Sequence, residues 1–405
     1  MAVVSIVRVH RGDVEGAVRE AASLTDGFET VAWEGARVLV KPNVALPAKP
    51  GTGIVTDARV VEAVTKLVLE RNPKRVVIGE GSSVGYDLPI CLDSIHCMEV
   101  AGIVEVARKL GVELIDLNQD ERVRVRALDA FVMDRFAIAK TAAEADVIIS
   151  LPVIKTHIRT GITSGLKNMK GVLPGDEKKR THQLGLDRAI VDLNRVVKPR
   201  FTVVDGIIGV QGAWGSQSDE VDRVPLNLII AGSDVVAVDA VCATVAGFDV
   251  REILHIQGAA EANLGVCDMS LIEVRGERID SVKYPFIPFL EGAKHLFGGA
   301  NIVEKDTCTG CVGESLSTFI YLNRAGFHDK LRELTIIMGT PEQIPPLGRK
   351  PVVIGRCAKE YRQLGLFVPG CPPHGMKIND AVCQALGVDK KTVQRAIFEL
   401  HNSSA

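Results

Sequence analysis

Residues 36–43 read Ala-Arg-Val-Leu-Val-Lys-Pro-Asn, and this short segment contains a pattern that recurs along the chain. Ala36–Val40 is a mostly apolar run that ends at a lysine and a proline, which predicts a buried strand. Similar runs predict further strands at Arg75–Ile78, Val112–Leu117, Asp146–Leu151, Phe201–Val204 and Leu226–Ala231.

Helical patterns separate these predicted strands. They lie at Ala58–Glu70, Glu99–Leu110, Lys140–Ala145, Leu186–Val197, Asp234–Ala246 and Arg251–Glu261. Apolar strands that do not alternate with polar residues indicate a mostly parallel sheet covered on both faces. The sequence therefore predicts an α/β fold of the doubly wound type.

The composition of the 405-residue chain is that of a folded protein, with 46 % apolar and 24 % charged residues. The formal net charge of −2 argues against general binding to nucleic acid. The sequence has neither a run of about 18 apolar residues, as a membrane span requires, nor the basic start of a signal peptide. We therefore expect a cytoplasmic protein without membrane contact, in which cysteines stay reduced.

A second region begins near Ser281 and carries five of the nine cysteines. The proline-containing segment Tyr284–Pro288 is typical of an extended linker. Beyond it, Thr335–Met338 and Val352–Ile354 predict strands, and Phe367-Val368 is a possible third. We predict two domains, residues 1–280 and a smaller α/β cysteine-cluster domain at 281–405.

Polar and glycine residues follow the predicted strands of the first domain. The segments are Lys41-Pro-Asn43, Gly79-Glu-Gly-Ser82, Pro152-Val-Ile-Lys155-Thr-His157, Asp205-Gly206 and Gly232-Ser-Asp234. Ligands of open α/β sheets bind at the carboxyl ends of the strands, so these segments are candidate site residues. None of them is a P-loop or a complete dinucleotide-binding motif, and each also suits an ordinary turn.

The segment Lys155–His182 gathers seven lysine and arginine residues against two acidic residues, and it contains four glycines. We interpret it as a long loop that captures a small anion, namely a carboxylate, a phosphate or a CoA-type group. A solvated surface loop is the alternative. Nucleic acid is a poorer match, because the segment has no aromatic side chain on which bases could stack.

Lys155 and His157 are two residues apart and would point to one side of an extended chain. We predict that they are catalytic, since both side chains can move protons. The residues expected to bind the anion are Lys41, Asn43, Lys167, Asn168 and Lys170. Asp205 and Asp239 could orient a cation or a base, and they equally suit turns or helix caps.

Four cysteines of the second domain form the pattern C-x2-C-x45-C-x13-C, at Cys308, Cys311, Cys357 and Cys371. Four thiolates suit an iron–sulfur cluster or tetrahedral zinc. A proline after the last cysteine, two nearby glycines and the wide spacing favour a [4Fe–4S] cluster. Zinc and uncoordinated reduced thiols are the alternatives. Cys383 and the Cys91, His96 and Cys97 group are expected to be structural.

Several motifs of the first domain together resemble the family called "domain of unknown function 362". They are Leu39–Asn43, Gly79–Ser82, Ser150–His157, Gly165–Gly171, Val204–Ile207 and Gly232–Ala240. Many members carry iron–sulfur ligands, often in a ferredoxin module with closely spaced cysteines. The resemblance therefore implies one [4Fe–4S] cluster, although the dispersed cysteines here depart from that module. It implies no particular reaction.

These features favour an iron–sulfur redox enzyme that acts on a small anionic molecule, with a possible redox partner protein. The first alternative is a non-enzymatic electron carrier or metallocofactor-handling protein. The second is a zinc-stabilised transferase or hydrolase, for which the usual catalytic motifs are missing from the sequence.

Overall fold

A computed structural model describes residues 1–31, 33–83, 93–213, 222–307, 309–344 and 350–395. The chain forms two compact units, one that extends to Pro288 and one that begins at Phe289. Their boundary falls at the end of the Tyr284–Pro288 segment, whereas the predicted domain boundary followed residue 280. No helix in the described part of the chain is both long and apolar enough to cross a membrane.

The first unit contains a large, mostly parallel sheet. Its strands are β1 (Ala2–Arg8), β2 (Arg37–Pro42), β3 (Arg75–Glu80), β4 (Glu113–Asp116), β7 (Val147–Leu151), β8 (Val153–His157), β9 (Gly161–Thr163), β10 (Phe201–Val210), β11 (Arg223–Val224), β12 (Leu228–Gly232) and β13 (Ile272–Gly276). The order is β13-β1-β12-β10-β7-β2-β3-β4, with β8 and β11 paired to β10 and β9 paired to β8. A separate antiparallel hairpin consists of β5 (Arg122–Arg126) and β6 (Arg135–Ala139).

Helices cover both faces of this sheet. They are α1 (Val14–Ser23), α2 (Asp26–Glu29), α3 (Ala58–Leu69), α4 (Ser94–Val100), α5 (Ile103–Leu110), α6 (Lys140–Glu144), α7 (Gly165–Asn168), α8 (Gly175–Leu184), α9 (Leu186–Asn194), α10 (Val235–Val245), α11 (Leu254–Glu261) and α12 (Ile279–Val282), with 3₁₀ turns at Met169–Val172, Val250–Glu252 and Met269–Leu271. Along β2, Val38 and Val40 enter one apolar core while Leu39 enters another on the opposite face. The predicted doubly wound α/β fold is confirmed.

The basic segment Lys155–His182 is structured rather than a long loop. It contains the β8–β9 hairpin, α7, a 3₁₀ turn and most of α8. The turn of the hairpin is closed by Gly161, whose φ of +70° favours glycine. The carboxylate of Asp239 on α10 accepts the amide hydrogens of Gly165 and Leu166 at 2.7 and 3.0 Å, so it caps α7 from a distance in sequence.

The second unit has its own parallel sheet in the order β14-β15-β16-β17. The strands are β14 (Asn301–Lys305), β15 (Leu334–Gly339), β16 (Lys350–Ile354) and β17 (Leu366–Val368). The helices are α13 (Phe289–Ala293), α14 (Thr309–Arg324) and α15 (Gly375–Leu386), with 3₁₀ turns at Lys294–Phe297, His328–Glu333 and Arg356–Leu364. Its apolar core shares no residue with the cores of the first unit.

Candidate functional site

The candidate site lies beyond the carboxyl ends of β2, β3 and β7, where β8 continues the chain. At its base, the fully buried ammonium of Lys41 forms an ion pair with Glu80, at 2.9 Å to Oε1. Glu80 also accepts the amide hydrogens of Val44 and Gly81, at 2.9 and 2.8 Å. Burial lowers the pKa of Lys41, and the charge of Glu80 opposes that shift.

Two asparagines connect this ion pair to Lys155. Asn168 Oδ1 accepts hydrogen bonds from Lys41 Nζ at 3.2 Å and from Asn43 Nδ2 at 3.1 Å. Asn43 Oδ1 in turn accepts one from Lys155 Nζ at 2.8 Å, and the carbonyl of Ile54 accepts another at 2.7 Å. Lys41, Asn43 and Asn168 therefore have partners inside the protein, and the network fixes the position of the Lys155 ammonium.

Four nitrogen-bearing side chains lie near enough to His157 for their charges to act on it, and we call the five together the basic group. They are Lys155, His157, Lys167, Lys170 and His182. Burial is the main cause that lowers the pKa of His157 well below its ordinary value. The positive charges of the other four side chains lower it further, in the order Lys167, His182, Lys170 and Lys155.

Histidine and lysine meet directly at one side of the basic group, where Lys170 Nζ lies 2.8 Å from His182 Nε2. Burial and neighbouring positive charges lower the pKa of both side chains well below their ordinary values. Burial likewise lowers the pKa of Lys167 to about 8, although the carboxylate of Asp187 opposes this shift. The ammonium of Lys167 lies 3.4 Å from Thr163 Oγ1.

Hydrogen bonds to the ring of His157 select its tautomer. Its Nδ1 accepts the amide hydrogens of Arg159 and Thr160, both at 3.2 Å, within the turn that closes the β8–β9 hairpin. Because Nδ1 is an acceptor, the proton of the neutral imidazole is assigned to Nε2. The neutral ring can then donate a hydrogen bond from Nε2 to a bound molecule.

The structure adds four residues that the sequence did not single out for this site: Glu80, Lys178, His182 and Asp187. Lys178 is buried and donates to the carbonyls of Gly81 and Ser82, at 2.7 and 3.0 Å, and to Asn118 Oδ1 at 2.6 Å. Lys178 and His182 lie in the segment whose positive charge was noted, so its periodicity could have indicated them. No sequence signal pairs Glu80 with Lys41.

Asp205 and Asp239 both hold backbone amides. Asp205 accepts the amide hydrogens of Asp57 and Ile207, at 2.7 and 3.0 Å, which ties β10 to the start of α3. Burial raises the pKa of Asp205 to about 7 and that of Asp239 to about 6, and the accepted hydrogen bonds oppose the shift. Their contacts match the turn and helix-cap interpretation.

Three of the four predicted metal ligands lie beyond strand ends of the second sheet. Cys311 is in the first turn of α14 after β14, Cys357 follows β16, and Cys371 follows β17. A Cβ atom at Gly355, directly after β16, would lie 2.9 Å from Cys311 Sγ, so the first turn of α14 lies close to the end of β16. Cys308 lies outside the described residues. Within the described ranges, no three His, Cys, Asp or Glu side chains form a metal-binding group.

Exposure distinguishes two of the predicted ligands from most other cysteines. Cys357 is exposed and Cys371 is partly exposed, whereas Cys311 is buried. Cys97, Cys242 and Cys383 are also buried, and burial raises the pKa of each thiol, in Cys383 to about 11. Thiolate is the metal-binding form, so Cys357 and Cys371 are better suited as ligands than these three buried thiols. Cys91 lies outside the described residues.

An α/β fold with polar side chains at its strand ends is thus established, and a known family covers that part of the chain. The family described as "Domain of unknown function (DUF362)" matches residues 38–244, just over half of the sequence. The chain belongs to this family, which confirms the resemblance predicted from the motifs.

Comparison with individual proteins gives more distant matches. A thylakoid-associated protein of Synechocystis sp. is 26 % identical over 261 residues, which cover 63 % of this chain and 76 % of the relative. The lactate racemase apoprotein of Thermoanaerobacterium thermosaccharolyticum matches with a TM-score of 0.41 and 14 % identity, over 61 % of this chain and 57 % of that chain. A protein from Thermotoga maritima matches with a TM-score of 0.37 and 17 % identity, over 57 % and 58 % of the two chains.

Proposed function

We propose that this protein is an iron–sulfur oxidoreductase that acts on a small anionic molecule bound by the basic group. The observation that carries the proposal is the convergence of Lys155, His157, Lys167, Lys170 and His182 at the strand ends of one sheet. A carboxylate, phosphate or CoA-type group would bring negative charge to these side chains.

Electrostatics support anion binding at this position. Lys155 is buried and the other members of the basic group are partly buried. Grouped positive charges that are partly removed from water repel one another, which is a cost to the folded protein that a bound anion offsets. Among the described residues, neither Lys167 nor Lys170 forms an ion pair with a carboxylate. The charge of Lys41, in contrast, is already balanced by Glu80.

Lys155 and His157 are proposed as the proton-transferring residues. Burial lowers the pKa of Lys155 well below its ordinary value, which makes it easier for the amine to give up a proton. His157 is fixed through Nδ1 and can donate from Nε2. Asn43 and Asn168 would position Lys155, and Lys41 would hold Asn168.

For the second unit we propose that Cys308, Cys311, Cys357 and Cys371 hold a [4Fe–4S] cluster. The donor chemistry fits, because the thiols of Cys311, Cys357 and Cys371 follow strands that end at one edge of a parallel sheet. A bound cluster would supply or accept single electrons. A redox partner protein would exchange these electrons, and the reduced thiols agree with a cytoplasmic location.

Anaerobic purification followed by iron and sulfide analysis tests the cluster. We expect about four iron and four sulfide per chain, together with an EPR signal after reduction. A colourless protein that contains only zinc would overturn the redox assignment and favour the zinc alternative.

The enzymatic part is tested by adding a panel of carboxylates, phosphates and CoA esters to the anaerobically reduced and the oxidised protein. We expect at least one of them to change the oxidation state of the cluster. The same compound should have no effect in Lys155→Met. A cluster that only a partner protein can oxidise or reduce would instead identify a non-enzymatic electron carrier.

A further inference from the structure

Strand β4 forms one edge of the large sheet of the first unit, and among the described residues only β3 pairs with it. We propose that an extended segment of a partner protein adds to this edge as a further strand. The side chains of that segment would alternate between basic and apolar residues. This contact is separate from the anion and cluster chemistry proposed above, and either can hold without the other.

The backbone of β4 has hydrogen-bonding groups on its outer side. The amide of Leu117, directly after β4, donates to the carbonyl of Glu80 on β3 at 3.0 Å. Because the N–H and C=O groups of successive residues in a strand point to opposite sides, those of Leu114 and Asp116 point away from β3. The carbonyl of Asp116 accepts the amide hydrogen of Gln119 at 3.1 Å. In the described part of the chain, both groups of Leu114 and the amide of Asp116 have no partner, and an added strand would supply one.

Each face of the sheet has a cavity beside this edge. Leu114 and Ile115 point to opposite faces, because they pack against different apolar cores. A cavity of about 580 Å³ is lined by Leu114 and by Ile95 of α4. A second cavity, of about 300 Å³, is lined by Ile115 and, on the same face, by Leu39 and Val77. Successive side chains of an added strand alternate between the two faces, so they would enter the two cavities in turn.

The larger cavity has an acidic lining. Three carboxylates line it, those of Asp93, Asp116 and Asp120. The charge of Asp120 is partly offset by Arg75 and Lys140, whereas Asp93 and Asp116 form no ion pair with a described residue and accept hydrogen bonds from backbone amides and a serine hydroxyl. The sequence just before Asp93, residues 84–92, contains no lysine or arginine. A lysine or arginine of the added strand can lay its apolar stem along Ile95 and place its charge among these carboxylates.

The smaller cavity suits an apolar side chain. Its three cationic side chains each pair with a carboxylate of the same unit: Arg37 with Asp146, Arg75 with Glu113 and Lys140 with Glu121. The rest of its lining includes the apolar side chains of Leu39, Val77 and Ile115. A valine or leucine would add to this apolar surface, whereas a charged side chain would meet ion pairs that are already complete. Basic residues on one face and apolar residues on the other give the alternation proposed for the partner.

Blocked peptides added to the whole protein test the proposal, with fluorescence anisotropy as the measurement. A peptide of alternating lysine and valine should bind at least about tenfold more tightly than one of alternating glutamate and valine, because the larger cavity is acidic. An added strand uses the amides of only one alternate set of residues. N-methylation of one set, either the lysines or the valines, should therefore abolish binding, while N-methylation of the other set leaves it within about threefold. An equal effect of the two methylations would overturn strand addition, as would failure of the lysine–valine peptide to bind.

Hydrogen exchange at single-residue resolution locates the added strand. In the free protein, the amides of Leu114 and Asp116 should exchange rapidly, whereas the amide of Ile115, which faces β3, should exchange slowly. The bound lysine–valine peptide should slow the exchange of Leu114 and Asp116 at least about tenfold. Slow exchange of both amides in the free protein would show that this edge is already covered, and the proposal would be wrong.

Two substitutions at equally exposed positions serve as variant and control. Ile95 and Leu69 are both 37 % exposed on helices of the first unit, and of the two only Ile95 lines the larger cavity. Ile95→Lys adds a positive charge where a lysine of the peptide would bind, so it should weaken binding at least about tenfold, and Leu69→Lys should leave it within about twofold. Equal effects of the two substitutions would contradict the proposal. A wild-type dimer that Ile95→Lys dissociates in sedimentation would also contradict it, because the edge would then bind a second copy of this chain.

Discussion

At the scale of single residues, the most consequential contact is the buried ion pair of Lys41 and Glu80. Their side chains are 0 % and 3 % exposed, so water can compensate neither charge. We predict that Glu80→Gln lowers the free energy of unfolding by about 3–5 kcal/mol, because it leaves a buried ammonium without its partner. Urea unfolding at pH 7 measures the change.

The double variant Lys41→Met/Glu80→Gln is the control for this pair. It removes both charges, so it should be more stable than Glu80→Gln alone, although it has one substitution more. The prediction fails if the double variant is less stable than Glu80→Gln. It also fails if Glu80→Gln lowers the free energy of unfolding by less than about 1 kcal/mol. Either result would show that Glu80 does not compensate the buried charge of Lys41.

Gly171 is a second residue on which the site depends. A Cβ atom there would collide with the carboxylate of Glu80 and the ammonium of Lys41. We expect Gly171→Ala to destabilise the protein by about 1–3 kcal/mol, as overpacking of a tight interior does. Thermal unfolding provides the measurement. Gly313→Ala is the matched control, because Gly313 lies on a helix with open space around it. This substitution should stabilise the protein by up to about 1 kcal/mol.

The site residues show what a sequence can and cannot predict at this scale. Clustered charge at fixed strand ends indicated Lys155, His157, Lys167 and Lys170, and the charges of the three lysines do act on His157. The same reasoning predicted that Lys41 binds the anion, whereas its ammonium is paired with the carboxylate of Glu80, 39 positions later. Pairing between distant residues depends on sheet register, and a single sequence does not contain that information.

At the scale of elements, Asp205 links a strand to a helix. It is buried midway along β10 and accepts the amide hydrogen of Asp57, the N-cap of α3. Its pKa is raised from 3.8 to about 7 by burial, so between these values the folded state holds a proton that the unfolded state has lost. The contribution of Asp205 to stability is therefore greatest at low pH and declines as the pH rises to about 7.

We predict this decline from the difference in unfolding free energy between the wild type and Asp205→Asn. The difference should fall between pH 4 and pH 7.5 by as much as about 4 kcal/mol, since each pKa unit corresponds to about 1.4 kcal/mol. Both proteins contain His157, His182 and Asp239, so the effect of their titration on stability drops out of the difference. Urea unfolding at several pH values measures it, and a difference that rises with pH would contradict the assignment.

The elements themselves were predicted unevenly, for physical reasons. Buried central strands such as β2 and β7 are continuous apolar runs and are easy to recognise. β14 was missed because Asn301–Lys305 is an edge strand with exposed charged residues. The predicted helix Glu99–Leu110 is two helices, divided at Gly102 with φ of +76°. The basic segment has a polar composition typical of loops. It is nevertheless structured, because Asp239 caps α7 and β10 pairs with β8, and both contacts come from residues outside the segment.

At the scale of the whole molecule, the two proposed sites belong to different units of the chain. Every member of the basic group lies before Pro288, and the four predicted cluster ligands lie after it. Each unit has its own sheet and its own apolar core. Since the donors of each site belong to one unit, loss of one site should not remove the other.

Replacement of one cluster ligand tests this division. We predict that Cys311→Ala reduces bound iron to background and abolishes the visible absorption, while its affinity for inorganic phosphate stays within twofold of the wild type. Cys383→Ala is the matched control in the same unit, because burial raises the pKa of this thiol to about 11 and keeps it protonated. It should retain its iron. Iron retained by Cys311→Ala would refute the ligand assignment, and a loss of phosphate binding would show that the anion site requires the cluster.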